Sequence, residues 1–165
     1  MLKKLKDTLN DIERSKEFKK YKKENKDSYL TSALLVIEVD SEKSWILDFY
    51  SPKKHRITEF KFFGKSCERS LESKILQKEK SVLEELELND VKVEVEKAFE
   101  KASEFLQDEA DTNPKKIIVV LQKLGGIVMW NLTYFTSSLN ILNVKINAKE
   151  DLLISHEKVP LFKMA

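Results

Sequence analysis

The sequence predicts an α+β fold made of two repeats, each a helix followed by a three-stranded antiparallel meander, packed together. Three observations carry this expectation. Between Ile117 and Leu153, the runs IIVVLQ, GIVMWNLTYF and NILNVKI read as three strands, the first two joined at Gly125-Gly126. An amphipathic helix precedes them over Val95–Gln107. Its apolar stripe is Val95, Ala98, Phe99, Ala102, Phe105 and Leu106, with glutamates and lysines opposite. The same order of helix and strands is legible between residues 2 and 63.

At 165 residues the chain fits one domain or two small units. With 41% hydrophobic and 35% charged residues it can bury a core and still coat it in charge. Three glycines and three prolines argue against long flexible linkers. The net charge of +2 hides an uneven distribution. Residues 1–26 carry ten Lys/Arg against five Asp/Glu, and residues 66–110 carry seven against thirteen. A basic N-terminal element and an acidic middle follow.

Taken in order, residues 2–25 predict a charged helix with a narrow seam of Leu2, Leu5, Leu9 and Ile12. Phe18 and Tyr21 continue the apolar contact out of phase, which implies a bend near Ser15. The seam exceeds what one repeat requires, so it is expected to be less buried than the segment from Phe18 onward. Tyr29–Val39 reads as a strand, apolar on both faces at Leu34–Ile37 and therefore central. Ser44–Tyr50 alternates and Ile57–Phe63 follows. Over residues 66–88 the pattern fits a helix or an edge strand. Ser81 and Glu84 suggest a capping box for a short helix that turns Val82, Leu83 and Leu86 inward. After the third strand of the second meander, Lys149–His156 turns back into one more short strand, and the tail beyond Pro160 is expected to be loose. The expected organisation is a first repeat over 1–65 with an N-terminal helical extension, an acidic connecting segment over 66–90 and a second repeat over 91–165.

The halves also correspond locally. Trp45-Ile46-Leu47-Asp48-Phe49-Tyr50-Ser51 followed by Ile57-Thr58-Glu59-Phe60-Lys61-Phe62 matches Trp130-Asn131-Leu132-Thr133-Tyr134-Phe135-Thr136 followed by Ile141-Leu142-Asn143-Val144-Lys145-Ile146. Duplication explains the match, and a second copy can cover a sheet that one helix leaves open.

Residues 91–154 resemble a PepSY domain, a cystatin-like arrangement. The helix with Ala98 and Ala102, the strand Ile117–Gln122, the Trp130 strand and the closing strand Val144–Asn147 follow that pattern. Asn147–Asp151 stands where the family places an aspartate-led turn, and Leu152-Leu153-Ile154 follows it. The first half resembles the family through its match with the second. The whole chain is similar to uncharacterised PepSY-like proteins of small-genome archaea. The resemblance implies a role in inhibiting or regulating peptidases.

No constellation of chemical groups stands out, so no catalytic, cofactor-binding or metal-ligating set is expected. Trp45 and Trp130 fit core positions facing a helix. His55 and His156 lack metal-ligand spacing to each other or to Cys67. Cys67 lies beside Glu68, which disfavours a reactive thiolate. Glu84, Glu85, Glu87 and Asp90 lack the pattern of a calcium loop and read as a solvated helix face. Gly125-Gly126 reads as a hairpin turn. The strongest surface signal is the run Lys16, Lys19, Lys20, Lys22, Lys23 and Lys26. The expected function is non-enzymatic: a module that binds a protein or peptide by strand addition or in a groove between helix and sheet. The alternative is electrostatic nucleic-acid binding through the lysine-rich helix. The N-terminal helix could also mediate self-association. One cysteine permits no internal disulfide, and no run approaches the roughly 18 apolar residues of a membrane span. With no signal-like apolar run at the start of the sequence, a cytoplasmic protein is expected.

Overall fold

A computed structural model of the chain describes residues 3–74, 83–107 and 109–162. The fold is α+β, and the strands within each of its units pair antiparallel. It divides into two units. The first comprises 1–34 and 43–88, and the second 35–42 and 89–165.

In the first unit, α1 (Leu5–Arg14) and α2 (Lys16–Glu24) break at Ser15, where the bend was expected. The Ser15 backbone is extended, and its Oγ accepts the Phe18 N–H at 3.2 Å, so one serine ends α1 and caps α2. The strands are β1 (Tyr29–Glu38), β2 (Ile46–Ser51), β3 (Arg56–Phe63), β4 (Ser66–Arg69) and β5 (Ser73–Lys74). Within the unit the order is β4-β3-β2-β1, with β5 also pairing β3. Phe18 and Tyr21 of α2 pack on Phe49 and Phe60, with Phe18–Phe49 centroids 4.8 Å apart and Tyr21–Phe60 centroids 5.1 Å apart. These rings form the aromatic core under the helix.

Two expectations are corrected here. The N-terminal seam is less buried than Phe18 and Tyr21 only at Leu5 and Leu9: α1 packs on β3, and Ile12 is 0% exposed, more buried than Phe18. Leu5 and Leu9 are half-buried, and Leu2 lies outside the described residues. The short helix expected from Ser81 is also absent over 83–87, which has no regular secondary structure. The Leu86 N–H bonds the Leu30 carbonyl at 2.8 Å, and Thr31 donates to the Glu84 carbonyl at 3.2 Å. A strand that offers backbone partners outcompetes a helix of one or two turns, which is marginal by itself. Ile75, Leu76, Ser81 and Val82 lie outside the described residues.

In the second unit, α3 (Val95–Ser103) packs on β7, and Ala98 and Ala102 are fully buried. The strands are β6 (Lys116–Leu124), β7 (Ile127–Phe135), β8 (Asn140–Asn147) and β9 (Leu153–Pro160), in the order β6-β7-β8-β9. Gly125 and Gly126 both have positive φ, the requirement of a two-residue hairpin between the paired Leu124 and Ile127. The core is Val119, Leu121, Trp130, Leu132, Val144 and Ile146.

The α3 helix stops four residues short of the expected Gln107. The Phe105 N–H bonds Ala102 and the Leu106 N–H bonds Ser103, so the chain tightens into i−3 turns. A four-residue helix, α4 (Glu109–Thr112), follows. The last strand is longer than expected and runs to Pro160.

Candidate functional site

The most exposed regular element is β9, which ends the strand order of its unit. Its phase follows from one bond and the register. The Leu161 N–H bonds the Leu139 carbonyl, and antiparallel bonding alternates along the ladder, so Val159, Glu157 and Ser155 turn their backbone groups toward β8. His156 therefore turns its N–H and C=O away from β8, as does Lys158. Pro160 closes the strand with a residue that cannot donate. A register shift at Ile154, between Lys145 and Ile146 of the partner strand, closes its other end.

Edge strands usually guard themselves with charge. In β9, the guarding charges are engaged from the helix side. The Lys158 Nζ is 2.9 Å from Asp111 Oδ2, a carboxylate with no exposure. The His156 ring stacks on Phe105, with centroids 4.4 Å apart and planes 25° apart. Both contacts come from the tightened turn after α3 and from α4. Apolar side chains stand exposed at the two ends of the strand: Leu152, Leu153 and Ile154 at its start, Leu161 and Phe162 just after it. The arrangement can supply backbone hydrogen bonds from a fixed strand between two apolar flanks.

The lysine run separates into members with different roles. Lys16, Lys19, Lys20 and Lys23 follow helical spacing on the face of α2 opposite Phe18 and Tyr21, and all four are exposed. Lys22 is half-buried and donates to the Ser28 carbonyl, which makes it part of the fold. Lys26 is exposed beyond the helix end.

The other sequence candidates are structural. Trp45 and Trp130 are each 2% exposed, and their indoles donate to the Lys3 and Val93 carbonyls at 3.1 and 2.8 Å. His55 Nδ1 is 2.8 Å from the Tyr50 hydroxyl. Cys67 is half-buried, and desolvation pushes its thiol up, away from reactivity. Glu84, Glu85 and Glu87 lie on chain without regular secondary structure rather than on a solvated helix face, and Asp90 closes a 3-10 turn. Among the described residues no three His, Cys, Asp or Glu side chains gather as a metal site.

Two features escaped the sequence reading. One is the pair of buried Asp111 with exposed Lys158, whose partners are far apart in the chain. The other is Asp48, which lies across β1 and β3 from Ser32 and Glu59. Ser32 donates to its Oδ2 at 2.9 Å, while the buried Oδ1 has no hydrogen-bond partner. Desolvation raises this carboxyl to about 6, opposed by the Ser32 bond and reinforced by Glu59. Its signal in the sequence was an acid within an otherwise apolar alternation, Trp45 to Tyr50.

No family model matches the chain, and no curated protein does. Among solved structures it is similar to a chain described as "a putative lipoprotein" from Clostridium difficile 630. The TM-score is 0.58 at 16% identity, over 87% of this chain and 90% of that one. At that identity the likeness is one of fold. The expected cytoplasmic location is withdrawn, because that similar protein is described as a lipoprotein, a class held at a membrane outside the cytoplasm. A lone cysteine and a charged N-terminus were weak grounds for a compartment. No helix among the described residues is long and apolar enough to cross a membrane.

Proposed function

We propose that this protein is a non-enzymatic binding module of PepSY type that takes an extended segment of another protein or peptide as an added strand along β9. The supporting observation is the outward-facing backbone of His156 on a terminal strand whose side chains are pinned by Phe105 and Asp111. Strand addition draws its affinity from main-chain bonds, so it needs a rigid edge more than a pocket. Regulation of a peptidase, the role that the resemblance implies, suits this mode because an extended peptide is what a peptidase holds. A paired duplication also finds support. Each tryptophan bonds the carbonyl two residues before a helix in its own unit, Lys3 before Leu5 and Val93 before Val95.

Selection from a random decapeptide display library tests this reading. Extended peptides should be enriched on the full chain and lose affinity at least tenfold on His156→Pro, which removes the outward N–H, while His156→Ala retains them. Failure to enrich any peptide, or equal binding by the proline variant, overturns the reading.

A second reading rests on α2. Lys16, Lys19, Lys20 and Lys23 form an exposed stripe with no ion pair among the described residues, a surface that fits nucleic-acid phosphates. Single-stranded DNA binding that falls steeply with salt, and is abolished by Lys19→Glu with Lys23→Glu, would support it. Binding that is absent at low salt would end it.

A further inference from the structure

We propose that β9 also takes a second copy of this chain, as a two-fold antiparallel pair centred on His156. The proposal rests on reading β9 as an acceptor edge. An isologous pair places the same strand on both sides of the axis. In an antiparallel ladder the bonded partners must both face outward, so the axis passes through a residue of β9 rather than between two.

Charge then selects the residue. An axis at Glu157 sets two carboxylates face to face, and an axis at Lys158 sets two ammonium groups face to face. Like charges directly opposite destabilise a strand pair. An axis at Ser155 leaves Glu157 against Leu153. With the axis at His156, the two copies exchange N–H and C=O bonds at that residue. Ser155 of each copy then lies opposite Glu157 of the other, where a hydroxyl can donate to a carboxylate. Ile154 lies opposite Lys158, whose alkyl stem can cover it while its ammonium stays on Asp111.

The ends fit the same register. An antiparallel copy brings the start of each strand against the finish of the other. Leu152, Leu153 and Ile154 of one copy therefore approach Val159, Leu161 and Phe162 of the other. In one copy these apolar side chains, apart from half-buried Val159, are exposed, Leu152 by 58% and Phe162 by 70%. The pair gives them a common cover, which a lone strand with a polar centre does not.

Light scattering during size-exclusion chromatography of the full chain, over a concentration series, tests the pair. The native protein should pass from monomer to dimer. Ser155→Glu, an exposed change, should weaken the dimer at least tenfold by facing Glu157 of the other copy twice. Adding Glu157→Lys to that variant should restore it by turning both contacts attractive. His156→Ala should remain dimeric and His156→Pro should not, since proline is tolerated where an edge N–H faces outward. A native protein that stays monomeric throughout overturns the proposal, as does a dimer indifferent to Ser155→Glu. A monomer that still enriches extended peptides would remove the self-pairing and leave the acceptor edge intact.

Discussion

The Trp130 indole donates to the Val93 carbonyl at 2.8 Å, tying β7 to the residue that leads into α3. Val93 is itself held to the turn that follows β8, through its N–H to the Ala148 carbonyl. One buried side chain thus sets where the helix begins over the sheet. In the first unit, Trp45 makes the corresponding bond to Lys3, at a more open place.

Replacing Trp130 with Phe removes the donor and leaves a gap beside it. The loss should be about 2–4 kcal/mol, from an unmet buried carbonyl and lost packing. Trp45→Phe should cost less, because water can reach the Lys3 carbonyl. Urea unfolding midpoints of the two variants check the order. Equal losses would show that the bonds are incidental.

Ala98 and Ala102 keep α3 close to its sheet. Ala102→Leu should overpack that contact and cost roughly 1–3 kcal/mol. An unchanged unfolding midpoint would contradict the fully buried setting of this face.

The seam of α1 completes the core at Ile12. Ile12→Ala should therefore cost about 2–5 kcal/mol, as cavity formation in a packed interior does. Leu9→Ala, at a half-buried position, should cost much less. Thermal melts of both distinguish core from interface. A small loss at Ile12 would contradict its place in the core.

Asp48 makes the first unit sensitive to acid in an unusual direction. Its folded carboxyl titrates near 6 against an ordinary value of 3.8, so the folded state binds the extra proton between those values. Stability from this group is present in full below pH 3.8 and is lost as pH rises through about 6. Asp48→Asn keeps the Ser32 contact without the charge. It should raise stability at pH 7 by on the order of 1–2 kcal/mol and flatten the profile between pH 4 and 6. Denaturant titrations at pH 4, 5, 6 and 7 measure this. A native profile with no fall across that window would refute it.

Strands were legible where burial imposes alternation. Leu47 and Phe49 go to one face of β2, and Leu132 and Tyr134 to one face of β7, so the sequence carries a period of two. The break at Ser15 was legible from a change of phase. The edge strand was not: Ser155-His156-Glu157-Lys158 is exposed, and exposure leaves no pattern to read. Its anchors were equally hidden. Phe105 looked like the next turn of α3, and its turn toward His156 depends on i−3 bonding that no side-chain spacing announces. The stretch 83–87 shows the opposite failure. The sequence offered a local capping pattern, but the Leu30 carbonyl takes the Leu86 N–H instead.

The pair of Lys158 with Asp111 bears on both stability and the proposed edge. Asp111 has no exposure, and its Oδ2 also accepts the Gln107 N–H at 3.2 Å. Removing one partner of a buried ion pair costs about 3–5 kcal/mol, because the remaining charge keeps its burial and loses its compensation. Lys158→Ala should fall near the lower end, since Gln107 and other contacts of Asp111 persist. Lys158→Ala with Asp111→Ala should recover much of the loss, as no charge is left buried. The edge should respond differently. In the double variant the amides of Ser155 and Glu157, which face β8, should exchange with solvent faster than in the native chain, because Asp111 no longer holds β9. Hydrogen exchange read at those amides, alongside unfolding midpoints, separates the effects. Recovered stability together with unchanged exchange at Ser155 and Glu157 would mean that Phe105 alone fixes the strand.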